Sequence, residues 1–118
     1  MKILIIDDAP EMLRAFRDIL EAHGCEVQAA ENGEEGLARY AEIMPDIVLM
    51  DILMPKLDGI SATKKILDID PFAKIIVISA VGKSGLDNEC LLAGATKFII
   101  KPFKIKELLS SIDSLVAE

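Results

Sequence analysis

Three aspartates, one serine and one lysine stand directly after short apolar runs in this 118-residue chain. Asp7 and Asp8 follow Ile3-Leu4-Ile5-Ile6, and Asp51 follows Ile47-Val48-Leu49-Met50. Ser79 and Ala80 close Ile75-Ile76-Val77-Ile78, and Lys101 follows Phe98-Ile99-Ile100. If these runs are strands of one parallel sheet, all of these residues emerge at its carboxyl edge, where open α/β sheets bind their ligands. Three carboxylates gathered there cannot stay bare. Two unit charges about 4 Å apart repel by roughly 4 kcal/mol at an effective dielectric near 20, so the group must take up a proton, a cation or a lysine. The donors are hard oxygens with no His or Cys beside them, which selects Mg2+ or Mn2+ over zinc. Mg2+ uses one or two carboxylates, keeps waters and binds phosphate. A hydroxyl and an ammonium are the usual remaining contacts of a phosphoryl group.

Taken singly, each residue has a plainer role. Asp7-Asp8 before Pro10 would cap and charge a helix. Asp51 would be a turn residue before Met54-Pro55, Ser79 a satisfied core hydroxyl, and Lys101 a side chain snorkelling to water. Convergence from four separate strand ends favours the functional reading.

The elements that must deliver these groups are legible as two alternating periods. Continuous β-branched runs read as strands buried on both faces. Pro10 suits a first helical turn, Met12, Leu13, Phe16, Ile19 and Leu20 follow at helical spacing, and Gly24 stops them. Val27 to Ala30 is a weaker second strand. Asn32 caps a second helix with the stripe Leu37, Tyr40, Ala41 and Met44, ended by Pro45 and Asp46. Asp58 caps a third helix carrying Ala62, Thr63, Ile66 and Leu67, and Asp70-Pro71 is a turn. A fourth helix, roughly Ser84 to Ala93, is the weakest, with Gly82 and Gly85 at its entry. The last helix shows Ile105, Leu108, Leu109, Ile112, Leu115 and Val116. Strands alternating with helices imply an α/β fold, a five-stranded parallel sheet with five helices on both faces, joined by right-handed crossovers.

Composition narrows the rest. The chain is long enough for one domain with a real core, spanning 1–118. Hydrophobic residues make up 52% and charged ones 28%, as in a soluble globular protein. A net charge of −7 disfavours direct binding to nucleic acid and favours a metal cation or a basic protein surface. No apolar run can span a bilayer, so no membrane partner is expected, and the brief N-terminal run, followed by acids, is not a signal peptide. Cys25 and Cys90 lack metal or redox spacing and read as buried reduced thiols of a cytoplasmic protein. His23, the one histidine, sits before Gly24 at a helix end. There it meets the helix dipole and is not read as a relay group.

At these residues the sequence resembles the receiver domain of the response-regulator family of two-component systems. The resemblance runs from Lys2 to Ala117. It rests on Ile5-Ile6-Asp7-Asp8, on Asp46 through Gly59 with Asp51 at its centre, on Val77-Ile78-Ser79-Ala80, on Ala93-Gly94-Ala95 and on Lys101-Pro102-Phe103. It implies the flavodoxin-like strand order 2-1-3-4-5. It implies that Asp51 is the phosphoacceptor, loaded by a histidine kinase or phosphotransfer protein. Asp8, Asp51 and the backbone carbonyl of Leu53 would hold Mg2+, with Asp7 acting through a metal-bound water. Lys101 would pair with the phosphoryl oxygens and Ser79 would donate its hydroxyl. The backbone N–H groups of Ile52 and Ala80 would complete the cradle. Phe98 would be the aromatic switch, its ring moving inward on activation. A downstream protein would then read the face built from the fourth helix, fifth strand and fifth helix.

Two departures from the family pattern carry consequences. Leu53 and Val81 are apolar where family members line the path of the hydrolytic water, which implies a long-lived phosphoaspartate. Thr96-Lys97 and Ser111 to Ser114 replace the charges of receivers that dimerise to present DNA-binding domains. Rival functions fare worse. A haloacid-dehalogenase-type phosphatase needs a second Asp where Leu53 stands, so the domain is expected to promote only its own phosphotransfer and dephosphorylation. A flavin carrier needs a Ser/Thr/Gly-rich loop where Asp7-Asp8 would repel phosphate. A receiver that only mediates contacts would not need the full set of residues. A receiver fragment of a longer DNA-binding regulator stays open.

Overall fold

The structure, a computed structural model, describes residues 1–51, 59–80, 94–101 and 104–116. Five strands, β1 (Lys2–Ile6), β2 (Glu26–Ala30), β3 (Ile47–Asp51), β4 (Ile75–Ala80) and β5 (Lys97–Lys101), form one parallel sheet in the order β2-β1-β3-β4-β5. The described helices are α1 (Pro10–Ala22), α2 (Gly33–Ile43), α3 (Gly59–Ile69) and α4 (Ile105–Val116). The helix expected over Ser84 to Ala93 and the Asp58 cap lie outside the described residues. So do Ile52, Leu53, Val81, Cys90, Pro102 and Phe103.

Alternation along the strands sorts the core into two layers. Ile3, Ile5, Ile47, Leu49, Ile76, Ile78 and Ile99 face Phe16 and Leu20 of α1 and Leu108, Ile112 and Leu115 of α4. Leu4, Ile6, Val48, Met50, Ile75 and Val77 face Tyr40 of α2 and Ala62 and Ile66 of α3. The inner strands β1 and β3 and residues Ile75 to Ile78 of β4 are thus covered on both faces, apart from Lys2 and Asp51 at their ends, while the outer strands β2 and β5 keep exposed positions at Glu26, Gln28 and Ile100. This is why the runs read as continuously apolar, without the alternation of a half-exposed strand.

Local chemistry sets the helix ends. Pro10 opens α1, where its missing N–H costs nothing. Gly24, at φ 90°, closes it: the Gly24 N–H bonds the Glu21 carbonyl and the Cys25 N–H bonds the Leu20 carbonyl, a Schellman motif. Asn32 caps α2, its Oδ1 accepting from the Glu35 N–H at 2.9 Å.

The buried stripe of α2 differs from the expected one. Gly33, Gly36 and Tyr40 are buried, whereas Ala41 and Met44 are exposed, Met44 at 51%. The helix ends at Ile43, and Met44 becomes its left-handed cap at φ 44°. Gly36 takes the inner position because α2 lies almost against β1; a Cβ there would fall 2.4 Å from Ile6 Cδ1.

Candidate functional site

β1 and β3 are neighbours, with Ile6 opposite Met50. The next residues, Asp7 and Asp51, therefore leave the sheet side by side. The Asp7 N–H continues the ladder to the Ala30 carbonyl at 3.1 Å, which holds the end of β1 straight until the acid is delivered. Asp7 is only 4% exposed, Asp51 is half-buried and Asp8 is exposed, so the acids grade from the core to solvent. Oxygens of all three carboxylates lie within 4.8 Å of one another.

Asp7 is also fixed in direction. Its Oδ1 accepts the Ala9 N–H at 2.9 Å, a local turn that Asp favours and that leads straight into Pro10. Sequence reasoning did not single out Ala9, although Asp-x-Ala-Pro is a recognisable side-chain turn ahead of a helix. The N-terminus of α1 follows at once, and its dipole favours negative charge there.

Hard oxygens at this separation suit a small divalent cation. With metal–oxygen distances near 2.1 Å, octahedral ligands sit about 3 Å apart in cis and about 4.2 Å apart in trans. A 4.8 Å grouping reaches that geometry with small side-chain movement or one intervening water. The residues present therefore fit Mg2+ or Mn2+.

The remaining predicted groups are placed by backbone. Ser79 pairs with Ile100, and Ala80 with Lys101, at the ends of β4 and β5. Asp51 pairs with Ile78, one residue before Ser79. The serine and lysine backbones are thus on the same rim as the acids. Phe98 pairs with Val77 and packs, partly buried, on the α2/α3 side of the core. Ile52 and Leu53 lie outside the described residues.

Two other residues take plain roles. His23 caps α1 at the opposite end of the sheet, where its Nε2 lies 3.3 Å from Asp113 Oδ1. Cys25 is a free, buried thiol whose pKa is pushed up by burial.

Residues 3–113 match the family model described as the response regulator receiver domain. The chemotaxis protein CheY of Thermotoga maritima is 44% identical over 115 residues, covering 97% of this chain and 96% of that protein. Its namesake in Bacillus subtilis is 46% identical over 113 residues, covering 95% and 94%. Among solved structures, the CheX–CheY–BeF3–Mg2+ complex of Borrelia burgdorferi superposes with a TM-score of 0.93 at 35% identity, covering 100% of this chain and 90% of that one.

Proposed function

The chain belongs to the response regulator receiver domain family, and from that membership we propose that Asp51 is its phosphoacceptor and Asp7, Asp8 and Asp51 its cation site. It is a CheY-like receiver, a phosphorylation-activated module of two-component signalling. The observation that carries the residue assignment is the convergence of three carboxylates from two adjacent strand ends.

An Asp51 carboxylate oxygen attacks phosphorus in line. The P–N bond of a kinase or phosphotransfer phosphohistidine breaks, and its electron pair returns to the imidazole. Asp8, Asp51 and the Leu53 carbonyl would hold Mg2+, which when bound would supply charge neutralisation for the incoming phosphoryl group. Asp7 acts through water, its orientation held by the Ala9 N–H. Lys101 pairs with the phosphoryl oxygens, Ser79 donates its hydroxyl, and the N–H groups of Ile52 and Ala80 complete the cradle. The added charge, about 1.5 to 2 units, draws Ser79 inward and lets the Phe98 ring follow, changing the face that includes β5 and α4. A protein target reads that face. The Borrelia structure, which holds CheY with Mg2+, BeF3 and the protein CheX, supports both the metal and the partner class. The domain is a phosphoacceptor that catalyses only its own loading and unloading. Among the described residues no helix is long and apolar enough to cross a membrane, and we place the domain in the cytoplasm.

Incubation with a small phosphodonor and Mg2+, followed by intact-mass measurement, tests the assignment. Wild type gains one phosphoryl unit and Asp51→Asn gains none; equal labelling of both would overturn it. The same assay, followed after donor removal, reads the lifetime. Leu53→Asn, which gives water a hydrogen-bonding group, shortens it; an unchanged rate removes the role assigned to Leu53.

A further inference from the structure

We propose that the end of the sheet opposite the acid cluster is a second docking surface, for a protein segment presenting an apolar side chain flanked by Lys or Arg. Of seven large hydrophobic residues exposed among those described, five sit at this end: Met1, Met44, Ile69, Phe72 and Val116. Phe72 is 88% exposed, in the turn between α3 and β4. It stands at the mouth of a pocket of about 250 Å3, lined also by Tyr40, Asp46, Asp70 and Val116. Phe72 and Val116 line this pocket, and Met1 and Met44 line a second one that shares Asp46 with it, so four of the five border adjoining pockets, unlike singly scattered apolar residues.

Charge complementarity selects the occupant. The helices run antiparallel to the strands, so all four described helices end at this pole, and none has a basic residue in its last turn. Each helix C-terminus carries roughly half a negative charge. Asp46 and Asp70 add two carboxylates at the pocket itself. Lys74, the cation in the pocket lining, is turned to the Leu115 carbonyl at the end of α4. A second copy of the chain would bring the same negative pole against this one, and an anionic membrane would be repelled likewise. A basic, apolar segment gains on both counts, with an aromatic face available to its cation.

This surface stands apart from the phosphoacceptor assignment, and its test does not depend on that assignment. The peptide acetyl-Lys-Phe-Lys-amide is titrated into the 15N-labelled full chain, with acetyl-Glu-Phe-Glu-amide as control. The expected result is a saturable, salt-sensitive shift of the Asp46, Asp70, Phe72 and Ala73 amides with the basic peptide alone. Phe72→Ser, which alters an exposed turn residue and leaves the core intact, weakens it roughly tenfold or more, as removal of an aromatic anchor does. Shifts centred on Asp7, Asp8 and Asp51, equal shifts with the acidic peptide, or unchanged affinity in Phe72→Ser would each overturn the proposal. Concentration-dependent shifts at this pole without peptide would also do so, since the occupant would then be a second copy.

Discussion

Removing one charge from the acid cluster should make the metal-free protein more stable and less responsive to Mg2+. Asp8→Asn is the cleanest perturbation, because Asp8 is exposed and the replacement keeps its shape. Its carboxylate lies within 4.8 Å of those of Asp7 and Asp51. At that separation each repulsion is worth about 0.9 kcal/mol with the dielectric of water and about 3.5 kcal/mol at a dielectric of 20. An exposed group sits near the water end, so relief of two such pairs gives about 1–2 kcal/mol. In urea titration with EDTA this raises the midpoint by roughly 0.5–1 M, given slopes of about 1–3 kcal/mol/M for small domains. Added salt shrinks the gain through screening. With excess MgCl2 the order reverses. Wild type is stabilised by preferential binding to the folded state, while the variant, lacking one anionic oxygen donor, binds Mg2+ at least about tenfold more weakly. A variant less stable than wild type in EDTA would refute the reasoning, as would equal stabilisation of both proteins by Mg2+.

Two further substitutions test how the scaffold is held. The Tyr40 hydroxyl donates to Asp70 Oδ2 at 2.8 Å, and burial, followed by the hydrogen bond to Asp70, pushes its pKa well above the ordinary phenol value. Tyr40→Phe should cost roughly 1–3 kcal/mol near neutral pH; because the unfolded phenol ionises first, this stabilisation holds below about pH 10 and fades above it, so a gap between the two proteins that stayed constant in urea melts up to alkaline pH would contradict the burial argument. Gly36→Ala places a methyl 2.4 Å from Ile6 Cδ1 and should cost about 1–3 kcal/mol; adding Ile6→Val, which removes that carbon, should recover part of the loss, and no recovery would mean that the limiting contact is with the branch carbons that valine keeps, Cγ1 at 2.9 Å and Cγ2 at 3.2 Å.

Strands and helix starts were legible because they depend on local chemistry. Apolar β-branched runs gave β1, β3 and β4, Pro10 and Asn32 gave two helix starts, and Gly24 gave an end. The inner face of α2 was not legible in the same way. A periodic reading rewards large apolar residues and so favours Ala41 and Met44, yet close approach to Ile6 admits only Gly36 at the contact. No local signal reports how near a helix lies to a strand far away in sequence. Phe72 is the converse case. An aromatic residue reads as core, but it occupies a turn whose backbone is tied down by Asp70, through the Phe72 N–H to Oδ1 and the Ala73 N–H to the carbonyl, and the ring is left outside.

The acids were visible in the sequence as strand-end residues, but their meeting is a consequence of topology. From β1 the chain passes through α1 to β2 on one side, then through α2 to β3 on the other side of β1. Because the two crossovers run in opposite directions along the sheet, both keeping the right-handed sense, α1 and α2 cover opposite faces. β1 is followed by α1 on one face and β3 by α3 on the other, so the chain leaves these two neighbouring strands in opposite directions and a crevice opens between their ends. Neighbouring strands are about 4.8 Å apart, so acids that follow paired residues on adjacent strands are forced into metal-ligand range by sheet spacing alone. Had β2 lain between β1 and β3, the spacing between Asp7 and Asp51 would double to about 10 Å, beyond the reach of a single Mg2+. Strand order thus carries the chemistry as much as the aspartates do.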